Sequence, residues 1–181
     1  VLTGLCNAYD AFGEVAFIKL AERNAEFLLK EMIKEGKLFR SYKNGVASID
    51  GYLEDYAAVI EGFIALYQST FNEKWINAAK DLLEYTNKHF YDPSEKFYYY
   101  TDNGSEALIA RKKEVFDNVI PASNSIMANN LYILGIIFDS DQYKEMAETM
   151  LSSLISLTLS EPSYTYNWAK LYGYMTSKTA E

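Results

Sequence analysis

The chain has 181 residues, 49% of them hydrophobic and 15% aromatic, with three prolines and a formal charge of −8. That length suits one domain with a real core, and the composition excludes a disordered or collagen-like chain. A negative balance without a basic stripe disfavours nucleic acid and anionic membrane as partners, because both are polyanions, and leaves small polar ligands open.

The single Cys6 cannot close an internal disulfide. With no leader-like segment and no apolar run of about eighteen residues, the expectation is a reducing, cytoplasmic compartment. The chain opens on Val1-Leu2-Thr3, already in helical pattern, which reads as a piece of something longer.

Val1 to Phe12 carries one charge, Asp10, and reads as the end of a buried helix stopped at Gly13. Cys6, on that helix with Asp10 one turn away, is expected to be an inert thiol. From Glu14 to Glu35, Phe17, Leu20, Ala21, Leu28 and Met32 oppose a charged face, an amphipathic helix that Gly36 should end. Lys37 to Asp50 reads as a loop with a short hairpin, because Asn44-Gly45 is a tight-turn signal.

Gly51 to Phe71 is the stretch around which the rest is organised. Leu53, Tyr56, Ala57, Ile60, Phe63, Ile64, Tyr67 and Phe71 form a helical stripe, and the other faces are nearly as apolar, so this helix should be buried all round. Its charges, Glu54, Asp55 and Glu61, lie towards its start.

After the short link at Asn72 comes an amphipathic helix, Glu73 to Phe90. Tyr91 to Pro121 is a long loop holding a strand-like run, Phe97 to Tyr100, and long loops in compact domains usually carry function. Ser123 to Phe138 has no charged residue and reads as a second buried helix. Gln142 to Leu159 is amphipathic, and Ser163 to Met175 returns to the buried type.

The alternation of buried and amphipathic helices is an internal repeat of helical hairpins. Links from a buried to an amphipathic helix are short, at Gly13, Asn72 and Ser140, and two of the three reverse links are long. The loops therefore gather at one end, where a site is expected. The predicted fold is all-α, a ring of inner helices enclosed by outer antiparallel ones, with a short β-hairpin in the loops. It is read as a single domain, 1–181, with both apolar ends able to promote self-association.

Three runs carry a resemblance: Gly51-Tyr52-Leu53-Glu54-Asp55-Tyr56-Ala57; Phe71-Asn72-Glu73-Lys74-Trp75; and Arg111 followed by Asp117 and Pro121-Ala122-Ser123-Asn124-Ser125. They resemble the thioredoxin-fused family that includes spermatogenesis-associated protein 20. The resemblance implies a partial (α/α)6 toroid of alternating inner and outer antiparallel helices, the later part of a ring similar to six-hairpin glycosidases and N-acylglucosamine 2-epimerase. It departs at Ala122, where the family is expected to use serine.

Paired carboxylates are what glycoside cleavage needs, one as proton donor and one ionised. Glu54 and Asp55 are adjacent, so their side chains diverge by about 100° around a helix, and Asp55 pairs more readily with Asp117 from another element. The plainer role for both acids is to stabilise a helix N-terminus. In the functional reading Asp55, Glu54 and Asp117 are the candidate catalytic residues. Tyr52, Tyr56, Arg111, Asn118, Ser123, Asn124 and Trp168 are the candidate substrate-binding residues, for a small carbohydrate ligand.

Each of these has a plain alternative. Ser123 or Asn124 can cap a helix, Arg111-Lys112-Lys113 can be solvated, and Trp168 with Tyr164 and Tyr166 can be core. His89, the lone histidine, falls on a dry helix face near a C-terminus and reads as a packing residue, so histidine-pair catalysis cannot come from this chain alone. No metal, nucleotide or other cofactor is expected. Two function classes follow: a carbohydrate-processing or carbohydrate-binding toroid, or a non-catalytic scaffold of a thioredoxin-fused protein. If the inner helices run parallel, the first turns carrying Glu54-Asp55 and Ser123-Asn124 share one mouth, where the helix field should keep Asp55 ionised.

Overall fold

A computed structural model of the chain describes residues 1–104 and 111–177. Among them are seven α-helices and five short strands. They fall into two compact units, Val1–Phe90 with Thr101–Ser105, and Tyr91–Tyr100 with Glu106–Glu181. The fold class is that of an α/α toroid, mostly helical with small antiparallel strand pairs in the long links.

In the first unit α1 (Leu2–Phe12) stops at Gly13, whose φ of 70° is left-handed and suits glycine. Burial, then Asp10, pushes the Cys6 thiol above its ordinary range, in line with an inert thiol. α2 (Val15–Phe27) packs on α1, and α1 on α3 (Leu53–Thr70). The contact between α1 and α3 is close: a Cβ on Gly62 would stand 2.8 Å from a methyl of Leu2.

Two expectations change here. The second helix does not run to Glu35; it widens into a π-helical turn, Leu28–Met32, and then becomes strand β1 (Ile33–Lys34). Gly36 is accordingly not a helix cap. With Glu35 it makes a two-residue turn with both φ positive, 51° and 80°, from β1 into β2 (Lys37–Lys43). Asn44-Gly45, at 52° and 80°, makes the second such turn into β3 (Val46–Asp50), as its sequence signals. The result is a three-stranded antiparallel sheet in the order β1-β2-β3.

α3 buries Leu53, Tyr56, Ala57, Ile60, Gly62, Phe63, Ile64 and Leu66, with Ala58 left outside. Phe71 leaves the stripe because the chain turns there: it is the left-handed C-cap, φ 55°, and 78% exposed. α4 (Glu73–His89) starts on Asn72, whose side chain accepts the Lys74 N–H, and buries Trp75, Ile76, Ala79, Leu82, Leu83 and Thr86 against α3. The α3–α4 hairpin is antiparallel, and Tyr56 near the start of α3 meets Phe90 at the end of α4, ring centroids 5.1 Å apart.

In the second unit β4 (Tyr91–Asp92) pairs with β5 (Phe97–Tyr98), a strand shorter than the run Phe97 to Tyr100 suggests. Lys113 joins Asp92 and Glu95, at 2.6 Å each. Lys113, Ser94 and Tyr99 together hold the Asp92 carboxyl far below the usual carboxylate range. α5 (Ser123–Ile137) and α6 (Asp141–Ser160) form a hairpin so tight that a Cβ on Gly135 would touch the backbone N of Lys144 at 3.0 Å. α7 (Tyr166–Thr176) packs on both, burying Asn167, Trp168 and Leu171, while Tyr172 and Tyr174 remain 40% and 51% exposed. No helix of the described residues is long and apolar enough to cross a membrane.

Candidate functional site

The first turn of α3 brings four of the sequence candidates into one neighbourhood and adds a residue that the sequence did not mark. Asp55 Oδ2 accepts the Tyr52 N–H at 2.8 Å, the return half of a capping box. Arg40, from the middle of β2, places its guanidinium 3.3 Å from Glu54 Oε1 and 3.7 Å from Asp55 Oδ2. Its Cζ lies 4.5 Å from the centroid of the Tyr52 ring. The two adjacent acids, expected to diverge, both reach the same guanidinium.

Glu54 and Asp55 are partly open, with side chains 35% and 24% exposed. Tyr56 is not: at 1% exposure its hydroxyl accepts the Leu38 N–H at 2.8 Å, and burial pushes its pKa up to about 12. Gly51 explains how the turn sits so close to β2. Its N–H donates to the Leu38 carbonyl at 2.8 Å, and a Cβ there would be 2.9 Å from that same oxygen.

The surroundings of Asp55 act on its carboxyl in opposite directions. Burial, the largest influence, raises its pKa above the ordinary value, against the opposing Tyr52 N–H and Arg40. Desolvation outweighs the helix N-terminus here.

In the second unit the candidates cluster on the first turns of α5 and α7. Asp117, 1% exposed, has both oxygens occupied. Its Oδ1 accepts the Ala122 N–H at 2.8 Å and the Ser125 hydroxyl at 2.7 Å, and Oδ2 accepts the Asn167 N–H at 2.8 Å. It thereby ties its own loop to the starts of two helices. Neither Ser123 nor Asn124 caps α5; Ala122 is the N-cap residue.

Asn124 reaches across to β5 instead. Its Oδ1 accepts the Tyr98 N–H at 2.7 Å and its Nδ2 donates to the carbonyls of Tyr98 and Glu114 at 3.0 and 2.9 Å. Ser123 is buried, and its hydroxyl has no partner among the described residues. Trp168 is 0% exposed and its indole N–H donates to the Val115 carbonyl at 2.7 Å, the geometry of a core tryptophan. Arg111 lies over the Tyr99 ring, 4.0 Å from its centroid, and Asn118 is exposed.

Arg40 was illegible in the sequence because it reaches Glu54 from a strand, fourteen residues upstream. The alternation of β2 and the Asn44-Gly45 turn are the only signals that pointed that way.

No family model matches the chain. It is 29% identical over 154 residues to an uncharacterised protein of Caenorhabditis elegans, covering 81% of this chain and 21% of that protein. It is 30% identical over 142 residues to human spermatogenesis-associated protein 20, covering 72% of this chain and 18% of that one. The chain thus spans about a fifth of the length of the curated relatives it matches.

Among solved structures it is similar to a GH76 α-mannanase of Bacteroides thetaiotaomicron, at TM-score 0.66 and 15% identity, over 84% of this chain and 41% of that one. It is also similar to the unsaturated glucuronyl hydrolase of Bacillus sp. GL1, at TM-score 0.63 and 17% identity, over 84% and 44%. The chain is similar in sequence to part of spermatogenesis-associated protein 20, and its fold is the α/α toroid also found in these glycoside hydrolases.

Proposed function

We propose that this chain is a carbohydrate-processing or carbohydrate-binding α/α toroid domain whose site is centred on Asp55. The observation that carries the reading is the first turn of α3: a partly open carboxyl with a raised pKa, beside a second acid, a guanidinium and an aromatic face. A sugar ring needs an aromatic surface and charged or polar groups that fix its hydroxyls, and Tyr52, Arg40 and Glu54 supply these. A carboxyl whose pKa is raised by burial suits proton donation to a leaving oxygen better than proton abstraction. Asp55 is then the candidate acid, with Glu54 beside it on the same guanidinium. The solved toroids with the same fold are named for action on mannans, mannosides and glucuronides.

Asp117 and Asn124 serve this reading as residues that hold loops and helix starts in place. The same engagement is what favours the second reading, a non-catalytic scaffold, because it commits Asp117, Asn124 and Ser125 to the fold. Thermal unfolding of the chain with mannose oligosaccharides and unsaturated glucuronyl disaccharides separates the two. A ligand at a hundredfold excess over its Kd raises the midpoint by about 5 °C or more in the carbohydrate reading. An unmoved midpoint across both classes leaves the scaffold.

A further inference from the structure

The aromatic stack that leads away from the start of α3 ends on a second polar group. Tyr56 lies nearly parallel to Tyr85 with centroids 5.5 Å apart, and Tyr85 stacks at 4.1 Å on His89, one helical turn further along α4. The segment Thr101–Gly104 belongs to this same unit. Its Asp102, 7% exposed, accepts the Tyr85 hydroxyl on Oδ2 at 2.9 Å and the Gly104 N–H on Oδ1 at 2.6 Å. That Oδ1 stands 3.6 Å from His89 Nδ1. Asn103 closes the edge: its N–H donates to the His89 carbonyl at 2.9 Å, and its Oδ1 lies 3.3 Å from the same Nδ1.

His89 Nδ1 therefore faces two oxygens, a carboxylate and an amide carbonyl, and both accept. A ring nitrogen in that position carries the proton, so in the neutral imidazole Nε2 holds the lone pair. Nε2 has no partner among the described residues, and the side chain is 27% exposed. The ring is held on one face by Tyr85, and at its edge by a carboxylate that is itself fixed by a tyrosine and a backbone N–H. A base in reach of solvent with an orienting acceptor behind it is the arrangement that proton abstraction requires. The hydroxyl of Tyr85 is pushed above its ordinary range, by burial first and Asp102 second, so it stays a donor to that carboxylate.

We propose that His89 is a preoriented general base, with Nε2 as the proton-accepting atom and Asp102 and Asn103 as positioning residues. Resting on the carbohydrate reading, the group it serves is a hydroxyl of a polyol ligand. Nε2 takes the proton, the O–H electron pair remains on the oxygen, and the Asp102 carboxylate offsets the charge of the imidazolium that forms.

As His89 is the only histidine, long-range proton–nitrogen NMR of the intact chain reports on it without assignment. The expected result is the Nδ1–H tautomer in the neutral ring, unlike the Nε2–H form usual for an unconstrained histidine. Asp102→Asn is then expected to slow acylation of Nε2 by diethyl pyrocarbonate roughly tenfold, with the aromatic stack still evident in the near-UV spectrum. An Nε2–H tautomer, or equal acylation rates in the two proteins, overturns the proposal. Both readouts are taken without sugar, so their failure sinks the base alone, whereas an unmoved thermal midpoint with every oligosaccharide sinks the carbohydrate reading alone.

Discussion

α3 and α5 both open with polar first turns on otherwise apolar helices, and each has a carboxylate beside its start. At α3 the acids are partly exposed, share one guanidinium, and cap with a single oxygen. At α5 the acid is 1% exposed and all its hydrogen bonds go to backbone and side chains that position two helix starts. The same residue type thus has two uses, and exposure together with the identity of its partners separates them. A carboxylate with three internal donors holds a fold, and one with oxygen still facing solvent can meet a ligand.

The largest expected effect follows from the α5 side. Asp117→Ala leaves the Ala122 and Asn167 N–H groups buried without their acceptor, and the Ser125 hydroxyl with the Ala122 carbonyl alone. It should cost about 3–5 kcal/mol in chemical denaturation. A cost near that of a surface substitution would erase the distinction between the two carboxylates.

Next comes the backing of the α3 turn. Gly51→Ala puts a Cβ 2.9 Å from the Leu38 carbonyl, and backbone cannot move aside cheaply. A loss of about 1–3 kcal/mol is expected, with Arg40 displaced from Glu54.

Asp55→Asn should be milder, about 1 kcal/mol, since the amide oxygen can still accept the Tyr52 N–H.

Acidity sharpens the contrast in opposite directions at two sites. The Asp55 pKa is raised in the folded state. Its contribution therefore favours the fold below the unfolded value of about 4 and is lost as pH rises through the folded value. Relative to the wild type, Asp55→Asn should gain stability as pH rises above about 4. Asp92 is lowered, so its contribution is present above about pH 4 and is lost as pH falls towards its folded value. The penalty of Asp92→Asn should shrink on acidification. Denaturation curves at several pH values check both signs.

Much of this was legible in the sequence. The seven helices, the three short links and the Asn44-Gly45 turn follow from periodicity and turn chemistry, which act locally, but the buried type expected of the first and last helices does not hold: α1 buries only Leu2 and Cys6, and α7 only Asn167, Trp168 and Leu171. What escaped depends on contacts distant in sequence or on tertiary strain. The helical pattern through Leu28 and Met32 gave no sign of the π-helical turn, because the strand that follows wins over local propensity. Phe71 looked like core because periodicity does not show where a helix stops. The upward shift of the Asp55 pKa was not foreseen because the helix field is visible in sequence and desolvation is not. Arg40 and Asp102 meet their partners only through a hairpin and a returning loop.

The central claim is that the first turn of α3 is used for a ligand while that of α5 is used for the fold. Isothermal titration of wild type and Asp55→Asn with the oligosaccharide that shifts the thermal midpoint tests it most directly. The account predicts that Asp55→Asn loses roughly a hundredfold in affinity, about 2.7 kcal/mol, while its helical circular dichroism and unfolding midpoint stay near those of wild type. Wild-type affinity in Asp55→Asn, or loss of folding and binding in step, would contradict it.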